Sequence, residues 1–178
     1  MESTELPGLE ETFVAAFGHA PPYAEVPAGT PRSAMRQSLL ATRRGGSGPI
    51  VQEACFVACG QLPGGARQVL GGLVVTLTPA GDLERFDDSV WTEPAPEDAL
   101  VRRWGRPHLT WVFVHPDVSR HGVASRLLDQ AVHALHRLGY KELASTFLLG
   151  NESSTLWHWK NGFSLKSYVL SPRLQNRG

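Results

Sequence analysis

Ser119-Arg120-His121-Gly122-Val123-Ala124-Ser125 can do chemistry because of what lies on either side. Leu109 to Val114 is apolar and rich in β-branched and aromatic residues, the pattern of a buried strand. From Val123 onward, Leu127, Leu128, Ala131, Ala134, Leu135 and Leu138 recur at helical spacing. A strand therefore runs through a tight glycine-bearing turn into a helix. The first turn of a helix has backbone N–H groups without internal acceptors and carries partial positive charge. Gly122 lets a ligand approach the backbone, and Ala124 adds little bulk. The arrangement is a cradle for a phosphate or pyrophosphate. It is neither a P-loop nor a dinucleotide fingerprint, because G-x-x-x-x-G-K-[ST] and the three-glycine turn are both missing.

A second group follows at fixed distance. Glu142 to Leu149 reads as another strand, and Asn151-Glu152-Ser153-Ser154-Thr155-Leu156-Trp157-His158 reads as a short helix before Gly162-Phe163. Asn151, Ser154 or Thr155, and His158 fall on one helical face, since seven residues make almost two turns.

The order strand, x-x-x-G-x-A turn, helix, strand, N-x-x-S, short helix, G-F, with Val114-x-Pro116 before the turn, resembles the GNAT acyltransferase superfamily over about residues 108–165. The resemblance implies an α/β (α+β) fold with a mixed, mostly antiparallel central sheet flanked by helices. It also implies acetyl-CoA as cosubstrate and transfer of the acetyl group to an amine, small molecule or peptide, by direct attack on the thioester. Whether the acyl group is acetyl or longer stays open.

On the same resemblance, backbone at Ser119, Arg120, His121, Gly122, Val123, Ala124 and Ser125 holds the pyrophosphate. Val112, Phe113 and Val114 offer strand backbone to the pantetheine arm, and the Val114 N–H is the oxyanion donor. Asn151 and His158 contact the cofactor. The family carries Arg or Gln where this chain has Ser119. It carries a Tyr that protonates the leaving thiolate where this chain has His158. Imidazolium is a stronger acid than a phenol, so His158 can take that part. No Glu lies on 109–114 to deprotonate the amine. His108, His115 and, through water, Asp87, Asp88, Glu97 or Asp98 remain open as bases, while the Val-His-Pro setting of His115 reads as positional. Tyr140 and Tyr168 are weaker proton donors. His133 and His136 lack further ligands at metal spacing, so no metal site is expected.

The remaining elements position this core. Two N-terminal helices are expected over 8–18 and 31–44, within a helical part spanning about 1–45. Antiparallel strands at 50–59 and 68–78 are joined through Pro63-Gly64-Gly65. Residues 79–107 form an acidic, proline-rich insertion with one helical turn at 97–104, either a solvated excursion or a flap beside the site. Cys55 and Cys59, four residues apart on one strand, are too distant for a disulfide and read as buried thiols. The strands at 109–114 and 142–149 should run parallel and splay at their C-terminal ends.

The chain has 178 residues, which fits one domain over 1–178. Its 17 basic and 17 acidic residues give zero formal charge. That balance argues against nucleic acid as partner. No apolar run approaches the ~20 residues of a membrane span. The acidic start, Met1 to Glu5, has no signal-peptide character, which points to the cytoplasm. No strand pattern appears in the first 18 residues, and only 163–170 could form one after Gly162. The sheet should therefore be truncated at both ends, with a homodimer covering an exposed edge near 163–170. Two other readings stand beside the enzyme: a catalytically degenerate coenzyme-A-binding sensor or structural module, and an unrelated phosphate-binding α/β protein.

Overall fold

A computed structural model describes residues 6–18, 31–62, 65–79, 91, 93–147 and 151–164. Two helices, α1 (Leu6–Phe17) and α2 (Pro31–Arg43), precede a hairpin of β1 (Phe56–Gln61) and β2 (Arg67–Thr78). A four-residue helix α3 (Ala99–Arg102) leads to β3 (Arg106–Val114). Then come α4 (Val123–Arg137), β4 (Ala144–Ser145) and α5 (Glu152–Lys160). The strands form one sheet in the order β1-β2-β3-β4. β1 and β2, and β2 and β3, pair antiparallel, whereas β3 and β4 pair parallel, as expected.

Alternation along the strands divides the core between two faces. Leu73, Val75, Leu77 and Leu109 pack with Leu127, Leu128, Ala131, Ala134 and Leu135 of α4. On the opposite face, Leu9 and Phe13 of α1 and Met35 and Leu39 of α2 pack on Val69 and Phe113. Phe13, fully buried, meets Trp111 and Phe113 edge-on at centroid distances of 4.9 and 5.1 Å; such pairs add ~0.5–1.5 kcal/mol each beyond area burial. The Phe113 ring lies so close over Gly72 that a Cβ there would come within 2.6 Å of it. Thr42 of α2 accepts a hydrogen bond from the Trp111 indole at 3.0 Å, which ties the helical layer to β3.

Several expected boundaries shift. Residues 50–59 are not one strand. Ile50 makes only an isolated bridge to Thr76, Gln52–Ala54 turn in a 3-10 helix, and pairing resumes at Phe56. Gln-Glu-Ala breaks the β-branched pattern, and Ala54 tucks into the α4-side core. Among the described residues, the strand expected at 142–149 pairs only at Ala144 and Ser145. Beyond them Thr146 bonds to His108 and Phe147 stacks on His158, while 148–149 lie outside the described residues. Cys55 is half-buried and Cys59 is exposed, not buried; both are free thiols. Cys59 sits where β1, paired on one side only among the described residues, shifts register against β2. The expected truncation of the sheet concerns 1–5 and 165–170, which lie outside the described residues. The 80–90 stretch of the insertion lies outside them too, and the helical turn expected at 97–104 is α3. Among the described residues no helix is long and apolar enough to cross a membrane.

Candidate functional site

β3 pairs with β2 along its whole length but with β4 only at His108↔Ala144 and Leu109↔Ser145. From Thr110 to Val114 that side of β3 has no strand partner among the described residues. Thr146 and Phe147 leave the ladder after Ser145, so the described part of the strand pair opens there into a gap, as the expected splay requires. Just past the strand, the His115 N–H bonds to Leu70 of β2 at 2.8 Å. Because strand backbone groups alternate sides, Phe113 also turns its N–H and C=O to β2, and Val112 and Val114 turn theirs to the gap. Of the three residues expected to present backbone, Val112 and Val114 do so and Phe113 does not. A one-residue bulge at Thr110 shifts the β2–β3 register.

After β3, His115 accepts a 3.3 Å hydrogen bond from the Asp117 N–H and caps a 3-10 turn over Pro116–Val118. Arg120 (φ 64°) and Gly122 (φ 78°) are both left-handed, and the His121 ring donates back to the Ser119 carbonyl at 2.8 Å. Gly122 is the N-cap of α4 without a side-chain cap. The first bond of the helix is Arg126 N–H to Gly122 C=O, so the N–H groups of Val123, Ala124 and Ser125 have no acceptor among the described residues. A Cβ placed on Gly122 would meet nothing within 4 Å. The turn is open, uncapped and lined by exposed Arg120 and His121.

On α5 the Asn151 side chain caps its own helix, accepting from the Ser154 N–H at 3.1 Å. His158 is only 4% exposed. Its Nδ1 lies 2.7 Å from the Ser154 carbonyl, and its Nε2 lies 2.8 Å from the Ser145 hydroxyl. A carbonyl only accepts, so Nδ1 carries the proton and Nε2 accepts from Ser145. Phe147 stacks on the ring at 4.6 Å, with Trp157 and Phe163 edge-on. Burial lowers the imidazole pKa, and the bond to the Ser154 carbonyl opposes this only in part. His158 is thus a neutral, oriented hydrogen-bond acceptor rather than a free imidazolium.

His108 occupies the other face of the same strand pair. Its ring nitrogens lie 3.3 Å from Thr110 Oγ1 and 3.1 Å from Thr146 Oγ1, and Thr110 meets Thr76 at 2.8 Å. Burial lowers its pKa as well. The roles of Ser145 and Thr146 had no sequence signal, since each is one hydroxyl in an apolar run. His133 and His136 are exposed on α4, and no cluster of three or more metal-ligating side chains exists among the described residues. Tyr140 is half-buried, and burial raises its pKa. Asp98 pairs with Arg102 at 2.5 Å. Asp87, Asp88 and Tyr168 lie outside the described residues.

Residues 93–163 match the family model described as "Acetyltransferase (GNAT) family", so the resemblance read from the sequence is borne out. No curated protein matches the chain. Among solved structures, an aminoglycoside 6'-N-acetyltransferase AAC(6')-Ig from Acinetobacter haemolyticus superposes with TM-score 0.54 at 16% identity, covering 96% of this chain and 92% of that one. AAC(6')-Iy in complex with the bisubstrate analog CoA-S-monomethyl-acetylneamine gives 0.55 at 17%, with the same coverages. The PH1933 protein from Pyrococcus horikoshii gives 0.58 at 14%, covering 96% and 87%. At these identities the likeness shows the fold, which is the α+β arrangement with a mixed sheet expected from the sequence.

Proposed function

We propose that this protein is an acetyl-CoA-dependent N-acetyltransferase acting on a small-molecule or peptide amine. The observation that carries the reading is the gap beside β3, bounded by gap-facing backbone at Val112 and Val114 and opening toward the uncapped start of α4. The residues fit coenzyme A. The free N–H groups of Val123, Ala124 and Ser125 suit a pyrophosphate, Gly122 leaves room for it, and Arg120 can add a charge-assisted contact. Ser119 and His121 supply the rest of the turn. The gap-facing peptide groups suit the amides of a pantetheine arm, and the Asn151 amide nitrogen at the head of α5 is free to contact it. When bound, the cosubstrate supplies an acyl group activated as a thioester.

The chain's own groups divide the remaining work. The Val114 N–H, the oxyanion donor that the resemblance implies, lies at the phosphate end of the gap, so in this reading it bonds the arm rather than the oxyanion. His108, held neutral by burial and steadied by Thr110 and Thr146, accepts the proton of the attacking amine. His158 orders the wall of the gap through Ser145 and takes part in proton transfer at the leaving sulfur. The same reading includes a cytoplasmic location and a homodimer with its contact at or near 163–170.

Calorimetry with coenzyme A, followed by thiol release from acetyl-CoA with a panel of polyamines, aminoglycosides, amino acids and peptides, tests the proposal. Micromolar binding and amine-stimulated release are expected. Absence of coenzyme A binding refutes the whole reading; binding without release by any amine favours the degenerate module.

A further inference from the structure

Ser145, His158 and Ser154 form a chain of hydrogen bonds whose hydroxyl end has no chemical step of its own in the transfer of an acetyl group to an amine. A hydroxyl bonds to Nε2 at 2.8 Å, and the opposite ring nitrogen gives its proton to a carbonyl at 2.7 Å. Nucleophile, base and orienting acceptor thus stand in the relation that activates serine in acyl-transfer enzymes, with a backbone carbonyl in the place of the carboxylate. Three features separate this from a chance contact. The ring is clamped by Phe147, Trp157 and Phe163, so its orientation does not depend on the serine. Burial keeps it neutral near pH 7, the form that accepts a proton. Ser145 is also the last β4 residue paired with β3, and it is only partly buried. Its register partner Leu109 is five residues before Val114. That spans roughly 16 Å at ~3.3 Å per residue, the length of gap in which an extended arm would lie with its phosphate end at α4 and its thioester toward Ser145.

We infer that Ser145 is an acyl acceptor, so that in the absence of amine the protein hydrolyses acyl-CoA through an acyl-serine. This rests on the coenzyme A reading above. Ser145 Oγ attacks the thioester carbonyl and its proton passes to His158 Nε2. The Oγ–C bond forms, the C–S bond breaks, and Nε2 returns the proton to the leaving sulfur. Water then adds to the ester carbonyl and gives a proton to Nε2, which hands it back to Oγ as the carboxylic acid departs. The net change is thioester and water to acid and thiol, with no other reactant.

The experiment uses the full-length protein with acetyl-CoA and no amine. Coenzyme A release is followed by thiol titration, and quenched samples are examined by intact-mass and peptide mass spectrometry, with and without hydroxylamine. Slow release is expected, together with a mass increase of one acetyl group on the peptide containing Ser145, labile to hydroxylamine. Ser145→Ala should lower amine-free release about a hundredfold and abolish the adduct, while coenzyme A affinity by calorimetry stays within about threefold, well under 1 kcal/mol. Ser145→Cys should retain an adduct, as a thioester at the same residue; this separates lost chemistry from lost packing. Amine-free release that Ser145→Ala leaves unchanged overturns the inference, as does release that falls with no hydroxylamine-sensitive adduct in any sample. If wild type does not bind coenzyme A, the underlying functional reading fails first, and calorimetry shows it.

Discussion

Replacing Gly122 with Val separates the cost of folding from the cost of binding, because the structure assigns them to different causes. Gly122 has φ 78° and no neighbour within 4 Å of a built Cβ, so Val brings no clash in the free protein. Its folding cost is backbone strain, ~1–2 kcal/mol for a side chain held left-handed. At roughly 2–4 °C per kcal/mol for a domain of this size, Tm should fall by about 2–8 °C. Binding loses more. The branched side chain would fill open space beside the turn, whose Val123, Ala124 and Ser125 N–H groups have no acceptor among the described residues. Losing two charge-assisted hydrogen bonds to a pyrophosphate, at ~1.5–3 kcal/mol each, removes ~3–6 kcal/mol, or about two to four decades of affinity. Calorimetry with coenzyme A on wild type, Gly122→Ala and Gly122→Val reads the effect, with Ala intermediate. If Gly122→Val binds within about threefold of wild type while its Tm falls as calculated, the phosphate cradle lies elsewhere and the assignment of this turn is wrong.

Three further outcomes follow from the two histidines. His108→Gln should lower kcat with a saturating amine by about 10²-fold and flatten the acidic limb of the pH–rate profile; a profile that keeps that limb rejects His108 as base. His158→Phe preserves the ring volume but leaves the Ser145 hydroxyl and the Ser154 carbonyl without their partner. It should destabilise by ~1–3 kcal/mol and lower kcat more than coenzyme A affinity; equal losses in both reduce His158 to a packing residue. Burial lowers the pKa of both histidines in the fold, so the unfolded chain binds protons more readily. Their contribution to stability is full above the unfolded value near ~6.5 and is lost as pH falls below it. Tm measured from pH 7.5 down to 5.5, roughly one unit either side of that value, should fall, and in the double variant His108→Gln, His158→Phe it should fall less. A wild-type Tm that rises on acidification contradicts the neutral assignment.

The β3–turn–α4 unit was legible in the sequence because two periodicities meet at a glycine. Leu109 to Val114 reads as strand, Val123 to Leu138 as helix, and Gly122 takes the one backbone conformation that joins them. The core lists follow from the same patterns, as with Leu127, Leu128, Ala131, Ala134 and Leu135. Residues 50–59 were misread because Val51 and Ala54 are buried on a 3-10 turn, whose short apolar pattern cannot be told from a strand. β4 is shorter than 142–149 suggests because Thr146 and Phe147 leave the ladder, Thr146 bonding to His108 and Phe147 stacking on His158. The hydroxyl bonds to His158 and His108 reach across 13 and 38 positions, and no local pattern encodes them. The nearest sequence signal was a histidine between two tryptophans, four residues after Ser154, which marks a clamped ring but not its partner.

The two hydroxyl–imidazole contacts also explain why a strand of only two residues can organise a site. Ser145 and Thr146 are consecutive, so their side chains leave the strand on opposite faces. Ser145 faces the α4 side, where its register partner Leu109 packs, and meets His158. Thr146 faces the side of α1 and α2 and meets His108. Each face of the strand pair therefore carries one neutral imidazole, fixed by a hydroxyl at the closed end of the gap. A planar thioester carbonyl held edge-on in that gap would have one face toward each histidine. An amine approaching from the α1 and α2 side would find His108, and the serine on the opposite side would have His158. Which nucleophile wins is then set by occupancy of the amine site, and the ratio of amide to carboxylic acid product should rise with amine concentration at constant acyl-CoA.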